Sequence, residues 1–323
     1  MTSSVTSPLL ATKYTLPQRF CSQNYLFNSL YSSLQTSIEG DFLMKTIIGE
    51  TFIGERSLFQ ANKIAFLDCA FGEGESPLKH ANNLQLEKVL FSWKYPLWFS
   101  NEVSLFECTL EAMARAGIWY SSNISIRNSI IDAPKTFRKA NNVLLENVDF
   151  TNGADLLWNC SNISICNVTV NNGNYFCMHG QDIEVDNLTL NGDYGFDSAK
   201  RVSIRNSILN TKDAFWNCED VTIYNSTIIG EYIAWNSKNI TLIDCTVESL
   251  QGFCYVENLV MRNCCLAGTT LAFEFSTVDI EITHVDSVKN PSAGKIVAKT
   301  IGHLIMETKQ IDTQKTIIST KII

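Results

Sequence analysis

From residue 62 onward, polar and apolar residues alternate in short bursts that recur at a fixed interval. The unit is a polar residue, an apolar one, any residue, a second apolar one, then Asn or Asp and another short apolar step. It reads Asn123-Ile-Ser-Ile-Arg-Asn128, then Asn142-Val-Leu-Leu-Glu-Asn147, then Asn162-Ile-Ser-Ile-Cys-Asn167, and continues in that form to Asn258-Leu-Val-Met-Arg-Asn263. Its first apolar position falls at Ile64, Leu84, Val103, Ile124, Val143, Ile163, Ile183, Val202, Val221, Ile240, Leu259 and Val278, with nearly constant spacing. Self-similarity at an interval of about 20 residues predicts a solenoid. Within a unit the period is two and the inward sites carry Val, Ile, Leu and Phe, so the elements are strands. No stretch supplies the wide apolar stripe that a repeating helix buries. The expected fold is therefore all-β: a parallel β-helix (solenoid) of about 12 coils of about 19–21 residues, each strand paired to its copy one coil on.

This pattern divides the chain. Residues 1–43 are rich in Ser and Thr, hold only Lys13 and Arg19 as basic residues, and have no acid before Glu39. They are expected to be an extension outside the core. The alternatives are a poorly ordered tail, a weak organelle-targeting segment, or sequence upstream of a true start at Met44. Residues 44–310 are expected to form the β-helix. Residues 51–59 would cap one end, short strands at 296–298 and 304–306 would close the other, and residues 311–323 would be a tail.

Composition adds two facts. The charge is −8 at pH 7 with a pI near 5.1, and no run approaches 18 apolar residues. The expectation is a chain with no nucleic-acid partner and no membrane span. The 29 Asn and 11 Cys are high, and the repeat explains both. Asn128, Asn147, Asn167, Asn187, Asn206, Asn225 and Asn263 share one repeat position, with Asp68 and Asp244 as variants. Stacked amides at a tight corner account for this, because Asn tolerates left-handed backbone. One residue later, Cys69, Cys108, Cys245 and Cys264 alternate with Val89, Val148, Val168 and Leu188. That alternation marks a small buried site. Absent any CxxC and any secretory h-region, the expected setting is cytoplasmic and reduced.

Several strings resemble an uncharacterised family known as domain of unknown function 3737. They are Met44-Lys-Thr-Ile, Thr51-Phe-Ile-Gly-Glu-Arg-Ser-Leu-Phe59, Gly74-Glu-Ser-Pro-Leu-Lys-His80, Trp93-Lys-Tyr-Pro-Leu-Trp98 and Met113-Ala-Arg-Ala-Gly-Ile-Trp-Tyr120. Asp213-Ala-Phe-Trp216, Glu231-Tyr-Ile-Ala-Trp-Asn236, Glu248-Ser-Leu-Gln251 and Thr269-Thr-Leu-Ala-Phe273 extend the likeness over residues 44–310. The resemblance implies a single-stranded, right-handed parallel β-helix of the pectin-lyase-like type and implies no catalytic residue.

Candidate chemistry lies on the outward positions. Five residues before each anchor the chain reads Lys79, Trp98, Trp119, Arg138, Trp158, Met178, Asp197, Trp216, Trp235, Cys254 and Phe273. Five of the six Trp thus share one expected column. Solvent-facing Trp at this density calls for a ligand or a cover. Beside it runs a charged and phenolic row with Tyr95, Lys135, Asp155, Tyr175, Tyr194, Asp213, Tyr232 and Gln251, flanked by Lys94, Arg115 and Glu231. Trp98, Trp119, Trp158, Trp216, Trp235, Lys79, Lys94, Tyr95, Tyr194, Tyr232 and Glu231 are the expected substrate-binding residues. Rings take sugar C–H faces while polar groups take hydroxyls.

Asp197 and Asp213 sit on adjacent coils, about 8–11 Å apart by coil spacing, which overlaps an inverting glycosidase pair. Asp155 is a third carboxylate, and Arg138, Arg115 and Lys135 are candidate bases or charge clamps for a lyase. The row holding His80 and His179 is expected to turn inward or to a corner. No cofactor or metal is expected. The function expected is a carbohydrate-active enzyme of hydrolase, lyase or epimerase type. The alternative is a non-catalytic carbohydrate-binding or protein-interaction solenoid, its Trp face a docking surface or the interface of a homodimer.

Overall fold

The computed structural model describes residues 44–320, and the expected extension, 1–43, lies outside the described residues. Every inter-strand pairing is parallel, and one column of partners runs through the whole domain. It passes Lys45, Ile64, Leu84, Val103, Ile124, Val143, Ile163, Ile183, Val202, Val221, Ile240, Leu259, Val278, Gly294 and Thr316. The protein is a parallel β-solenoid of about 15 turns. The apolar pattern undercounts because Lys45, Gly294 and Thr316 are not apolar anchors, although the backbone ladder passes through them. Gly294 has φ +118°, and a Cβ there would collide with the Val278 carbonyl oxygen. Only glycine fits at that position.

Both expected ends are corrected. Thr51–Phe52 pairs with Ala70–Phe71, and the amides of Gly54, Arg56, Leu58 and Gln60 donate to carbonyls of the next coil. Residues 51–59 are thus part of the first coil rather than a cap over it. At the far end the strand Ala293–Ile305 is continuous, and Thr316–Thr320 pairs with it, so the expected tail contributes the last strand.

Side chains stack as columns because each coil repeats the last at the strand spacing of about 4.8 Å. The interior holds aliphatic columns and phenylalanine stacks. Phe71 lies on Phe91 (5.0 Å between centroids, 9° between planes) and Phe196 on Phe215 (5.2 Å, 13°), all fully buried. Cys69, Cys108, Cys245 and Cys264 are buried in the expected column. Each thiol donates to the carbonyl two residues back, at 3.3–3.4 Å. Ser129, Ser207 and Ser226 replace them elsewhere and use their hydroxyls in the same way. None of the described cysteines forms a disulfide with another.

Coils this short need sharp corners, and the corners are single left-handed residues. The Asn column has this geometry throughout, with φ between 43° and 59° from Asn128 to Asn263. Its amides form a directional ladder. Asn147 donates to Asn128 (3.0 Å), Asn167 to Asn147 (3.1 Å) and Asn187 to Asn167 (2.8 Å). A second amide ladder passes through Asn82, Asn101, Asn123 and Asn142. Further corners use costlier residues, including Phe215 (φ 59°), Tyr194 (57°) and Tyr120 (58°). Each costs about 1–2 kcal/mol for a residue with a Cβ, offset by the ladders on either side.

Candidate functional site

The outward column has the expected content through most of its length. Lys79, Trp98, Trp119, Arg138, Trp158, Asp197, Trp216 and Trp235 are half-buried, and the alternating partners Leu78, Leu97, Ile118, Phe137, Leu157, Phe196, Phe215 and Ala234 are buried. The column departs from expectation at its end. Cys254 and Phe273 are buried, and Phe273 packs on Phe253, one position out of step. Tyr255 N–H donates to Glu274 O, so Glu274 follows Cys254 in the column. Its carboxylate takes Lys289 at 2.9 Å.

The rings do not form a floor of open faces. Trp98 and Trp119 lie face to face, 5.3 Å apart and 6° from parallel, and the Arg138 guanidinium sits between Trp119 (4.5 Å) and Trp158 (4.6 Å). Lys79 covers the other side of Trp98 at 5.9 Å. The indole N–H groups are spent on the wall of the solenoid: Trp98 donates to Ala116 O, Trp119 to Lys135 O and Trp158 to Tyr175 O. For Trp98, Trp119 and Trp158 the ring faces therefore point along the rod axis and the ring edges point outward, whereas Trp216 and Trp235 are tilted by 31° to each other. The axial facing follows from stacking at one residue per coil.

A second outward aromatic column runs beside the expected one. His80 stacks on Phe99 (5.0 Å, 14°) and Phe99 on Tyr120 (4.9 Å, 9°), with Phe59 and Lys139 at its ends. His80, Phe99, Tyr120, Lys139 and His179 are exposed, so this row takes the corner and not the inward placement. The reason is backbone. Each of these residues is left-handed, and such a corner breaks strict alternation. The sequence signal for the column is the run of Phe, His and Tyr directly after the Trp positions.

The polar residues expected at the site fall into two groups. In the first, Lys94 pairs with Glu75 (3.3 Å), Lys135 with Asp155 (3.2 Å), Tyr95 packs on Trp98 (4.8 Å), and Arg115 is exposed nearby. Asp155 is thus neutralised by the lysine beside it. In the second group, Tyr194, Asp213 and Tyr232 occupy one column, with Tyr232 against Trp216 (6.4 Å) and Trp235 (5.9 Å). Glu231, the neighbour of Tyr232, faces the other way. It lines a cleft of about 560 Å³ with Asp193, Lys212 and Glu248.

Asp213 is the most perturbed carboxylate of the column. It is 5% exposed, its Oδ1 has no hydrogen-bond partner, and the neighbouring Trp216 Nε1 is likewise buried without one. Burial raises its pKa; Lys212 opposes this, Glu231 and Asp193 add to it, and the Tyr232 N–H lowers it. Asp197 accepts a hydrogen bond from Ser198 at 2.7 Å. It stands to Asp213 as Trp158 stands to Tyr175 and Trp216 to Tyr232, pairs whose rings lie 6.0 and 6.4 Å apart.

The model describing proteins of unknown function DUF3737 matches residues 45–319. The chain belongs to the DUF3737 family. No curated protein matches it. Among solved structures it is similar to HetL, a pentapeptide repeat protein involved in heterocyst differentiation regulation from the cyanobacterium Nostoc sp. strain PCC 7120. The identity is 8%, covering 77% of this chain and 94% of that one, with a TM-score of 0.22. No helix among the described residues of this DUF3737 solenoid is long and apolar enough to cross a membrane.

Proposed function

We propose that this solenoid is a carbohydrate-active enzyme that hydrolyses a glycan lying along the Trp column, with Asp213 as general acid and Asp197 as general base. The observation that carries this reading is Asp213: a buried carboxyl, raised in pKa, with one oxygen unpartnered beside an aromatic column. A carboxyl whose pKa is raised by burial is suited to deliver its proton to the glycosidic oxygen as the C–O bond breaks. Asp197 takes a proton from the water that attacks the anomeric carbon from the opposite side. Their places on adjacent coils put the two carboxylates about 8–11 Å apart by coil spacing, which overlaps the inverting range of about 6.5–9.5 Å.

A second reading is favoured by one observation. Trp98 and Trp119 cover each other's faces, and the exposed Phe99 and Tyr120 do the same, as in a surface that docks a protein. Purified protein incubated with a glycan library and assayed for new reducing ends separates the two. Asp213→Asn and Asp197→Asn are each expected to lose at least about 100-fold in turnover while still binding the same glycan. Full turnover in both variants, or no glycan bound or cleaved, defeats the hydrolytic reading.

A further inference from the structure

Among the described residues, one stretch of the solenoid pairs all its basic residues and another leaves four of them without a carboxylate. Between residues 140 and 290 every Lys and Arg meets a carboxylate: Lys200, Arg201, Arg205, Lys212, Lys238, Arg262 and Lys289. In every one of these pairs the carboxylate comes from the neighbouring coil. In an acidic solenoid this is the expected state, because acids outnumber bases along the chain. Lys79, Arg115, Arg138 and Lys139 break the rule. None of them has a carboxylate partner among the described residues. They lie within four successive coils on the same aromatic surface.

Their setting disfavours a bland solvated role. Lys79 lies over Trp98 and Phe99, Lys139 over Tyr120, and Arg138 is clamped between two indoles. Arg138 Nε is buried with no acceptor. A guanidinium stacked between rings keeps its donors in the plane of its own fork, directed past the ring edges. Ring edges carry the positive end of the aromatic quadrupole. Cation donors and positive edges therefore present one sign of potential outward. Two carboxylates of this region, Glu75 and Asp155, are taken by Lys94 and Lys135.

We infer that this strip recognises the oxyanion substituents of an acidic glycan, carboxylate or sulfate, with Arg138 as the fork and Lys79 and Lys139 as flanking charges. The inference rests on the carbohydrate reading above and names its substrate class. Lys79 and Arg138 are three coils apart, about 14 Å, and Asp197 lies three coils further along the same column, about another 14 Å. An oligosaccharide parallel to the rod axis thus sets its acidic groups on the strip while a neutral segment reaches Asp197 and Asp213.

The test uses the full chain with three probes of equal length: an alginate oligosaccharide, a dextran sulfate and unsubstituted dextran. Binding is measured by calorimetry at low and high salt. Tight, salt-sensitive binding of alginate or dextran sulfate is expected, and the tighter of the two identifies the oxyanion. Unsubstituted dextran should bind at least tenfold more weakly. The double variant Lys79→Gln/Lys139→Gln should lose at least tenfold in affinity for the acidic probe. Arg138→Met, which keeps bulk between the indoles, should do the same. Lys238→Gln, a paired surface lysine far along the rod, serves as the control and should bind as the wild type does. Dextran binding as well as the acidic probes, or an unchanged affinity in the double variant, overturns the inference. So does a single-stranded oligonucleotide that binds as tightly as alginate. Acid selectivity that survives while Asp213→Asn and Asp197→Asn retain turnover refutes only the catalytic reading. Turnover on neutral glycans without acid selectivity refutes only this one.

Discussion

The corners of the coil make a prediction whose sign is opposite to ordinary strand behaviour. Asn167 is exposed, has φ 54°, donates to Asn147 at 3.1 Å and accepts from Asn187 at 2.8 Å. Asn167→Ala removes both amide hydrogen bonds, about 0.5–1 kcal/mol each at an exposed site. It also places a Cβ without a compensating polar group in left-handed backbone, about 1–2 kcal/mol. The total expected loss is about 2–4 kcal/mol. Asn167→Gly loses the same hydrogen bonds but adopts the corner without strain, at an entropic cost of about 0.5–1 kcal/mol. Gly should therefore be milder than Ala by up to about 1.5 kcal/mol, whereas inside a strand it is the worse of the two by about 0.5–1 kcal/mol. Urea unfolding followed by tryptophan fluorescence measures both variants, compared at equal m-values. A glycine variant less stable than the alanine variant would refute the left-handed corner as the reason Asn occupies this column. Asn167→Asp refines the argument. It still accepts from Asn187 but no longer donates to Asn147, so it should fall between wild type and the glycine variant.

Three further outcomes follow from other parts of the fold. Phe215 is a fully buried ring stacked on Phe196. Phe215→Ala should cost about 3–5 kcal/mol in the same unfolding assay, and a loss below about 1 kcal/mol would mean the column repacks. Asp213 has a raised folded-state pKa, so its contribution to stability is full below the ordinary carboxylate range and is lost as pH rises through the folded value. Asp213→Asn should accordingly raise the melting temperature at pH 7 and leave it unchanged near pH 3, and the reverse order would contradict burial as the dominant cause. Thiol labelling under native conditions should modify Cys166 and Cys265, which are half-buried, before the buried set. Burial pushes Cys108 up to about 11 and Cys160 to about 12. Rapid native labelling of either would contradict their packing.

The legibility of this fold varies with how directly each feature depends on side-chain period. Ile64 to Val278 are readable because a buried strand site must be apolar and the coil length is nearly constant. Lys45, Gly294 and Thr316 are not, because their membership rests on backbone hydrogen bonds and leaves no apolar side chain for the pattern to register. The Asn and Cys columns are readable because a corner and a small inward site each accept few residue types. His80, Phe99 and Tyr120 defeat the alternation rule because a left-handed residue turns the chain and both flanking positions change face. The contents of the Trp column are readable, but the orientation of its rings is not. Trp98 and Trp119 stack because the next coil places a like residue about 4.8 Å away, a contact between residues a full repeat apart.

The sequence by itself thus determined a parallel solenoid, its coil length, its amide and thiol columns and the row on which Trp, Arg and Asp fall. Those follow from period and from the narrow tolerance of buried and left-handed sites. Only the tertiary structure decided that ring faces are consumed along the axis, that Asp155 is paired while Asp213 is buried, and that Lys79, Arg115, Arg138 and Lys139 lack the carboxylates their counterparts have. Those are properties of neighbouring coils. They depend on which side chains meet across the stacking distance, a relation the linear pattern does not contain.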